Sequence, residues 1–115
     1  MKDIKNLTKT VIAFRDSREW KQFHNPKDLA ISLCLEASEV LEHFQWKNIE
    51  EMEAHIKKNK KEVAKELSDV LYWVLLMSND LNIDLEKAFA LKMKENNKKY
   101  PVKKSKGKHS KYTEL

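Results

Sequence analysis

The chain has 115 residues, which suits one hydrophobic core, and its 1 Gly and 2 Pro are too few for the turns of a β-sandwich or barrel, so long helices are expected. Charged residues make up 36% and the hydrophobic set 41%, a balance that excludes disorder throughout. Of the formal charge of +5, residues 1–101 supply only +1 (18 Lys+Arg, 17 Asp+Glu), and residues 102–115 supply the rest through Lys103, Lys104, Lys106, Lys108 and Lys111 against Glu114. The basic stripe that nucleic-acid binding requires is therefore missing from the part expected to fold. The chain has no apolar run near the roughly 18 residues of a membrane span, and the segment Met1-Lys2-Asp3-Ile4-Lys5-Asn6 has no signal-peptide core. The single cysteine, Cys34, excludes an internal disulfide and a Cys-based zinc site. A cytoplasmic protein with no membrane partner is the expectation.

The first helix is predicted from about Asp3 to Phe23, with Ile4, Leu7, Val11 and Phe14 forming one apolar seam that Trp20 and Phe23 extend. Asn25-Pro26-Lys27-Asp28 reads as a helix start: Asn25 caps, Pro26 suits the first turn, and Asp28 faces the positive helix end. The second helix then carries Leu29, Leu33, Ala37, Val40, Leu41 and Phe44 at helical spacing as far as Trp46. Residues 47–61 are expected to be a polar connector with a short helical turn around Glu50–Ile56 and a solvated lysine cluster. Asn59-Lys60-Lys61-Glu62 has capping-box spacing and predicts the start of a third helix, whose apolar arc of Val63, Leu67, Val70, Leu71, Val74, Leu75 and Met77 is too wide for one neighbour to cover. After a turn at Asn79–Asp84, a fourth helix with a weaker apolar face ends before Tyr100-Pro101. The domain reading is a helical unit over 1–101 followed by a basic, mobile tail over 102–115.

Two acidic pairs stand out, Glu36 with Glu39 and Glu66 with Asp69, each spaced i, i+3 on one helical face. Asp16/Glu19, Glu39/Glu42 and Glu50/Glu53 share that spacing, so spacing alone does not mark a site. Position does: Val40 and Val70 lie about 40° around the helix from Glu36 and Glu66, so both pairs border stripes that must face another helix. Four carboxylates gathered in a partly desolvated groove repel, and they either take up protons or hold a cation. Oxygen-only ligands favour Mg²⁺ or Mn²⁺, and Mg²⁺ shares its remaining positions with water and phosphate, which points to a phosphate substrate. On the alternative reading the helices splay, and the acids pair with Lys65, Lys92 or other bases as ordinary surface charges.

The order of short segments adds to this. Arg18-Glu19-Trp20-Lys21-Gln22-Phe23-His24, Leu35-Glu36-Ala37-Ser38-Glu39-Val40-Leu41-Glu42-His43-Phe44-Gln45-Trp46-Lys47, Glu66-Leu67-Ser68-Asp69-Val70-Leu71-Tyr72, Lys92-Met93-Lys94-Glu95-Asn96, Tyr100-Pro101-Val102 and Lys111-Tyr112-Thr113 together resemble the MazG-like nucleotide pyrophosphohydrolases, in particular the small all-α group that acts on dCTP. The resemblance spans almost the whole chain. It implies an all-α, four-helix MazG-like protomer assembling as a homodimer or a dimer of dimers (homotetramer), in line with the wide apolar arc of the third helix. It further implies hydrolysis of a nucleoside triphosphate to monophosphate and pyrophosphate, with Mg²⁺ held by Glu36, Glu39, Glu66 and Asp69 as the catalytic metal ligands, and a house-cleaning role with a dCTP-like substrate.

On the same resemblance Trp20 and Trp46 match aromatic positions that hold the base, and Trp73 falls where the eukaryotic members carry a tyrosine. Lys92 and Asn96, i, i+4 on the fourth helix, match residues that contact the nucleotide. Two departures bear on base preference: Val11 stands where the dCTP-preferring members have a histidine, and Ala37-Ser38 replaces their Val-Gly. The rival expectation from a different class is a helical interaction module whose basic tail reaches nucleic acid or an acidic partner.

Overall fold

The computed structural model describes residues 3–115. Met1 and Lys2, part of the N-terminal segment read above for a signal peptide, lie outside the described residues. Those residues form helices and no strands, as the scarcity of glycine and proline predicts: α1 Ile4–Asp16, α2 Pro26–Glu42, α3 Ile49–Asp80, α4 Leu85–Lys99 and a short α5 Val102–Ser105. Single 3-10 turns occur at Trp20–Phe23 and Tyr112–Glu114. None of these helices is long and apolar enough to cross a membrane. By contact the chain divides into two compact units, Met1–Asn82 and Ile83–Leu115.

In the first unit α1 is opened by Asp3, whose carboxylate accepts the Asn6 amide at 2.9 Å. It stops at Asp16 instead of running to Phe23. The Ser17 hydroxyl and the Arg18 guanidinium both donate back to the Phe14 carbonyl, at 3.0 and 2.9 Å. Side-chain donors thus take an acceptor that a continuing helix would have used, and Glu19 turns left-handed at φ 54°. Trp20 and Phe23 therefore follow the break on a separate turn.

The start of α2 is as expected: Asn25 accepts from the Asp28 amide at 2.9 Å, with Pro26 in the first turn. It ends at Glu42, four residues before Trp46, which sits in the following loop at φ 67°. The region read as a polar connector is, from Ile49 on, instead the first two fifths of α3. Asn48-Ile49-Glu50-Glu51 closes a reciprocal capping box, with Asn48 accepting from the Glu51 amide at 2.9 Å and Glu51 accepting from the Asn48 amide at 3.1 Å. Asn59, the expected cap, marks a kink inside α3 (φ −118°, ψ 23°). Its side chain faces backwards and donates to the His55 carbonyl at 3.2 Å, so it serves the turn before it and not the one after.

The core of the first unit is small. Leu29 of α2 and Leu75 and Leu76 of α3 are fully buried, and beside them lies Arg15, only 1% exposed. The Arg15 guanidinium donates to Asp80 at 2.6 Å and to Asp16 at 3.3 Å, which ties α1 to the C-terminal end of α3. Burial opposes the charge on Asp80, yet the hydrogen bonds from Arg15 and Asn79 hold its pKa below the ordinary aspartate value of 3.8.

In the second unit Asp84 caps α4 by accepting from the Lys87 amide at 3.1 Å. Glu95 pairs with Lys92 at 3.5 Å and with Lys99 at 3.1 Å. Beyond Pro101, Gly107 takes a positive φ of 76°, open to glycine without strain. The Tyr112 ring then stands edge-on to Tyr100 at 5.9 Å, with the Lys99 ammonium 4.8 Å from the Tyr112 centroid.

Removing one partner from a buried ion pair strands the other charge, so Asp80→Ala is expected to cost about 3 kcal/mol in urea unfolding at neutral pH. A depressed carboxyl pKa contributes stability that is present above the unfolded value and lost as the pH falls through the folded one. The gap between wild type and Asp80→Ala should accordingly narrow in acid, below the ordinary aspartate value of 3.8.

Candidate functional site

Helices α2 and α3 pack along each other, and the two acidic pairs meet at their seam. Glu36 and Glu39 come from α2, Glu66 and Asp69 from α3, and each offers a carboxylate oxygen that lies within 4.8 Å of the other three. The i, i+3 spacing places both members of each pair on one helical face, and the helix packing turns those faces together. Glu36 and Glu66 are half-buried, while Glu39 and Asp69 reach solvent. Neither lysine of the alternative reading neutralises them: Lys65 pairs with Glu62 at 3.2 Å and Lys92 with Glu95.

The electrostatic consequence follows directly. The Glu36 carboxyl is pushed above the ordinary glutamate value of 4.5, first by burial and then by its bond to Glu39 and the charges of Glu39, Asp69 and Glu66. Glu66 is raised as well, first through its bond to Glu39, with burial and the Glu39 and Asp69 charges adding to it and His43 opposing. The Glu36 Oε2 atom is buried and has no hydrogen-bond partner. A shielded carboxylate oxygen without a donor, on a residue of a four-carboxylate cluster, belongs to a donor set that could hold a hard cation, and its oxygen-only chemistry fits Mg²⁺ or Mn²⁺.

A cavity of about 440 Å³ adjoins the acids, since Glu36 and Asp69 also line its wall. The rest of the lining is largely aromatic: Phe14 and Trp20 from the N-terminal segment, Tyr72 and Trp73 from α3, with Thr10 and Val11 at one side. The rings brace one another edge to face. Phe14 stands 5.7 Å from Trp20 and 6.0 Å from Tyr72, and Tyr72 stands 5.0 Å from Trp73. The Arg18 guanidinium lies over the Phe14 ring, 3.8 Å from its centroid, and donates to the Phe14 carbonyl.

Of the residues singled out in the sequence, the structure gathers Glu36, Glu39, Glu66 and Asp69 into one cluster and places Trp20 and Trp73 on the cavity beside it. Trp46 is not among them; it projects from the α2–α3 loop and is 91% exposed. Lys92 and Asn96 lie on α4 in the second unit, Lys92 engaged with Glu95 and Asn96 half-buried, with its carbonyl accepting from the Tyr100 amide at 2.8 Å. Phe14, Tyr72 and Arg18 were not singled out. The available signal is helical spacing: Tyr72 is three residues after Asp69, on the same face, whereas the spacing of Phe14 fits the apolar seam alone.

Residues 31–115 match the model of the MazG-like family. The chain belongs to the MazG-like family. The matched span contains all four carboxylates. Among curated proteins the chain is 38% identical over 104 residues to dCTP pyrophosphatase 1 of Bos taurus and 35% identical over the same length to that of Homo sapiens. These alignments cover 89% of this chain but 62% and 61% of the relatives, so the chain spans about three fifths of their length. A crystal structure of a pyrophosphatase from Archaeoglobus fulgidus superposes with a TM-score of 0.81 at 36% identity, covering 88% of this chain and 94% of that one.

Carboxyl pKa values raised on folding make the cation-free protein most stable below the unfolded value, with that stability lost as the pH rises through the folded one. With Glu36 and Glu66 both raised above 4.5, melting temperature in the presence of a chelator should fall between acid and neutral pH. Glu36→Gln removes one of the repelling charges and is expected to raise the chelated melting temperature at neutral pH by about 4 °C. A lower melting temperature would show that Glu36 is stabilising as an anion and that the cluster is not strained.

Proposed function

We propose that this MazG-like chain is a nucleotide pyrophosphohydrolase that converts a nucleoside triphosphate and water to the monophosphate and pyrophosphate. The observation that carries the reading is the shared wall of the two halves of the site: Glu36 and Asp69 belong both to the carboxylate cluster and to the aromatic cavity. A flat, apolar ring in that cavity would place its attached phosphates against the acids. The names of the relatives, dCTP pyrophosphatase 1 and a pyrophosphatase, support the same chemistry and make a dCTP-like nucleotide the first substrate to try.

Glu36, Glu39, Glu66 and Asp69 would hold Mg²⁺, with Mn²⁺ as a substitute. The bound cation supplies charge neutralisation at the phosphates and at the departing pyrophosphate. The protein's own groups do the rest. Trp20, Phe14, Tyr72 and Trp73 receive the base by stacking and exclude water from one side of it. A carboxylate of the cluster accepts the proton of the attacking water as the bond from oxygen to the α-phosphorus forms and the bond to the leaving pyrophosphate breaks. Arg18, fixed over Phe14, adds positive charge near the groove. Lys92 and Asn96 are the proposed further contacts to the nucleotide, and Lys92 would exchange its exposed pairing with Glu95 for phosphate.

We assign the working form to a homodimer or homotetramer. Within one chain Ile31 and Leu35 of α2 (48% and 60% exposed) and Leu67 and Leu71 of α3 (54% and 39% exposed) form i, i+4 apolar pairs that reach solvent. Trp46, the most exposed of the large apolar side chains, would be covered in the same way. A role in removing surplus or non-canonical nucleotides in the cytoplasm is consistent with this chemistry.

A panel of nucleoside triphosphates with Mg²⁺ should release pyrophosphate and monophosphate in equal amounts. Release of single inorganic phosphate, or no release across the panel, would overturn the proposal. Glu66→Ala should lower turnover on the order of 100-fold, because a lost ligand weakens cation binding at least as much as a lost supporting bond. Trp20→Ala should act mainly on substrate binding, raising KM about tenfold with a smaller effect on kcat.

A further inference from the structure

Beyond the acids, the seam between α2 and α3 continues into a second polar layer that the proposed reaction does not use. His43, which terminates α2 one turn after Glu39, places its Nδ1 2.8 Å from Nε2 of His55 on α3. The two rings are 5.0 Å apart, and Phe44 stands edge-on to His55 at 6.1 Å. Behind His55, the side-chain nitrogen of Asn59 at the α3 kink lies 3.3 Å from His55 Nδ1 and 3.2 Å from the His55 carbonyl. Apart from bonds among the carboxylates, the His43–His55 contact is the one side-chain hydrogen bond joining α2 and its cap to α3 among the described residues.

The direction of these bonds is fixed by elimination. The His55 carbonyl only accepts, so the Asn59 atom facing it must be the amide nitrogen, which donates. The same amide group faces His55 Nδ1, which therefore accepts. A neutral imidazole accepting at Nδ1 carries its proton on Nε2, so His55 donates to His43 Nδ1. His43 in turn is left with its proton on Nε2, on the side of the ring away from His55. The neutral state of His55 is favoured first by desolvation and then by the nearby charge of Lys47, which press its pKa below the ordinary histidine value.

The layer also lies where it can act. Four carboxylates pressed together at the seam push α2 and α3 apart, and a bond one turn from Glu39 opposes that movement. On the opposite helix Glu66 follows Asn59 by seven residues, two turns along.

We propose that His43 is a positioning residue for the carboxylate cluster, held as the Nε2-protonated tautomer by the chain Asn59 to His55 to His43, which pins α2 against α3 and so sets the spacing of the two acidic pairs. This rests on the reading of the cluster as a cation site.

The test uses the full chain labelled with ¹⁵N in mildly alkaline buffer and Mn²⁺ as the probe, its binding followed by water-proton relaxation. In the wild type, two-bond ¹H–¹⁵N spectra should show His43 with its proton on Nε2 and an accepting Nδ1. His55→Phe keeps a ring but donates nothing; His43 should then lose its fixed tautomer, and Mn²⁺ affinity should fall about fivefold, the equivalent of one ordinary hydrogen bond. His55→Gln, whose amide can donate to His43 Nδ1, should return the affinity to within about twofold of wild type. A wild-type His43 protonated on Nδ1, or a folded His55→Phe with unchanged Mn²⁺ affinity, would overturn the inference. Should His55→Phe fail to fold, Asn59→Ala frees His55 to reverse its tautomer and carries the same expectation for His43. Mn²⁺ binding that follows this pattern in a protein that hydrolyses no nucleotide would sink the hydrolase reading alone; normal hydrolysis with an indifferent His55→Phe would sink only the positioning role.

Discussion

The structure is organised around a repulsion. Four carboxylate oxygens within 4.8 Å of one another cannot all be charged without either a cation or a scaffold stiff enough to resist them. Here the scaffold is a pair of antagonists on one helix. About 16 Å along α3 from Asp69, Asp80 is locked to the buried Arg15, and the fully buried leucines cluster near that end. The packing of α2 along α3 opposes the separation that the acids would impose, and the ion pair fixes α1 to the same helix. The raised pKa values of Glu36 and Glu66 and the unpartnered Glu36 oxygen are the residue of that contest.

Much of the fold was written in simple periodicities. The all-helical class followed from the near absence of glycine and proline, and the start of α2 from Asn25-Pro26 was correct to the residue. Errors occurred where side chains compete with the backbone. Nothing in the apolar seam of α1 reveals that Ser17 and Arg18 will seize the Phe14 carbonyl, because Trp20 and Phe23 continue the pattern after the break. The polar stretch after residue 47 reads as a connector because it has no strong apolar face. Its capping box at Asn48–Glu51 was as visible as the one expected at Asn59–Glu62, and the helix it starts runs through a kink to reach the apolar part of α3.

The acidic half of the site was legible for a physical reason: a carboxylate pair flanking a valine that must face inward has no inexpensive place to go. The aromatic half was harder to read. Phe14 and Tyr72 look like core residues by spacing, and they are half-exposed only because the core here is so small that its margin becomes a cavity. Trp46 shows the converse limit. Its place at the end of the second apolar pattern gave no sign that α2 would stop at Glu42 and leave the indole on a loop.

The distribution of these parts along the chain has an evolutionary corollary. All four acids come from the α2–α3 hairpin, inside the span by which the family is recognised, whereas Thr10, Val11, Phe14 and Trp20 precede it. The acids and the N-terminal wall of the cavity thus come from separable stretches of one polypeptide, while Tyr72 and Trp73 of α3 complete the lining. Descendants of a common ancestor could exchange that N-terminal wall while the ionic centre passed unchanged from one lineage to the next.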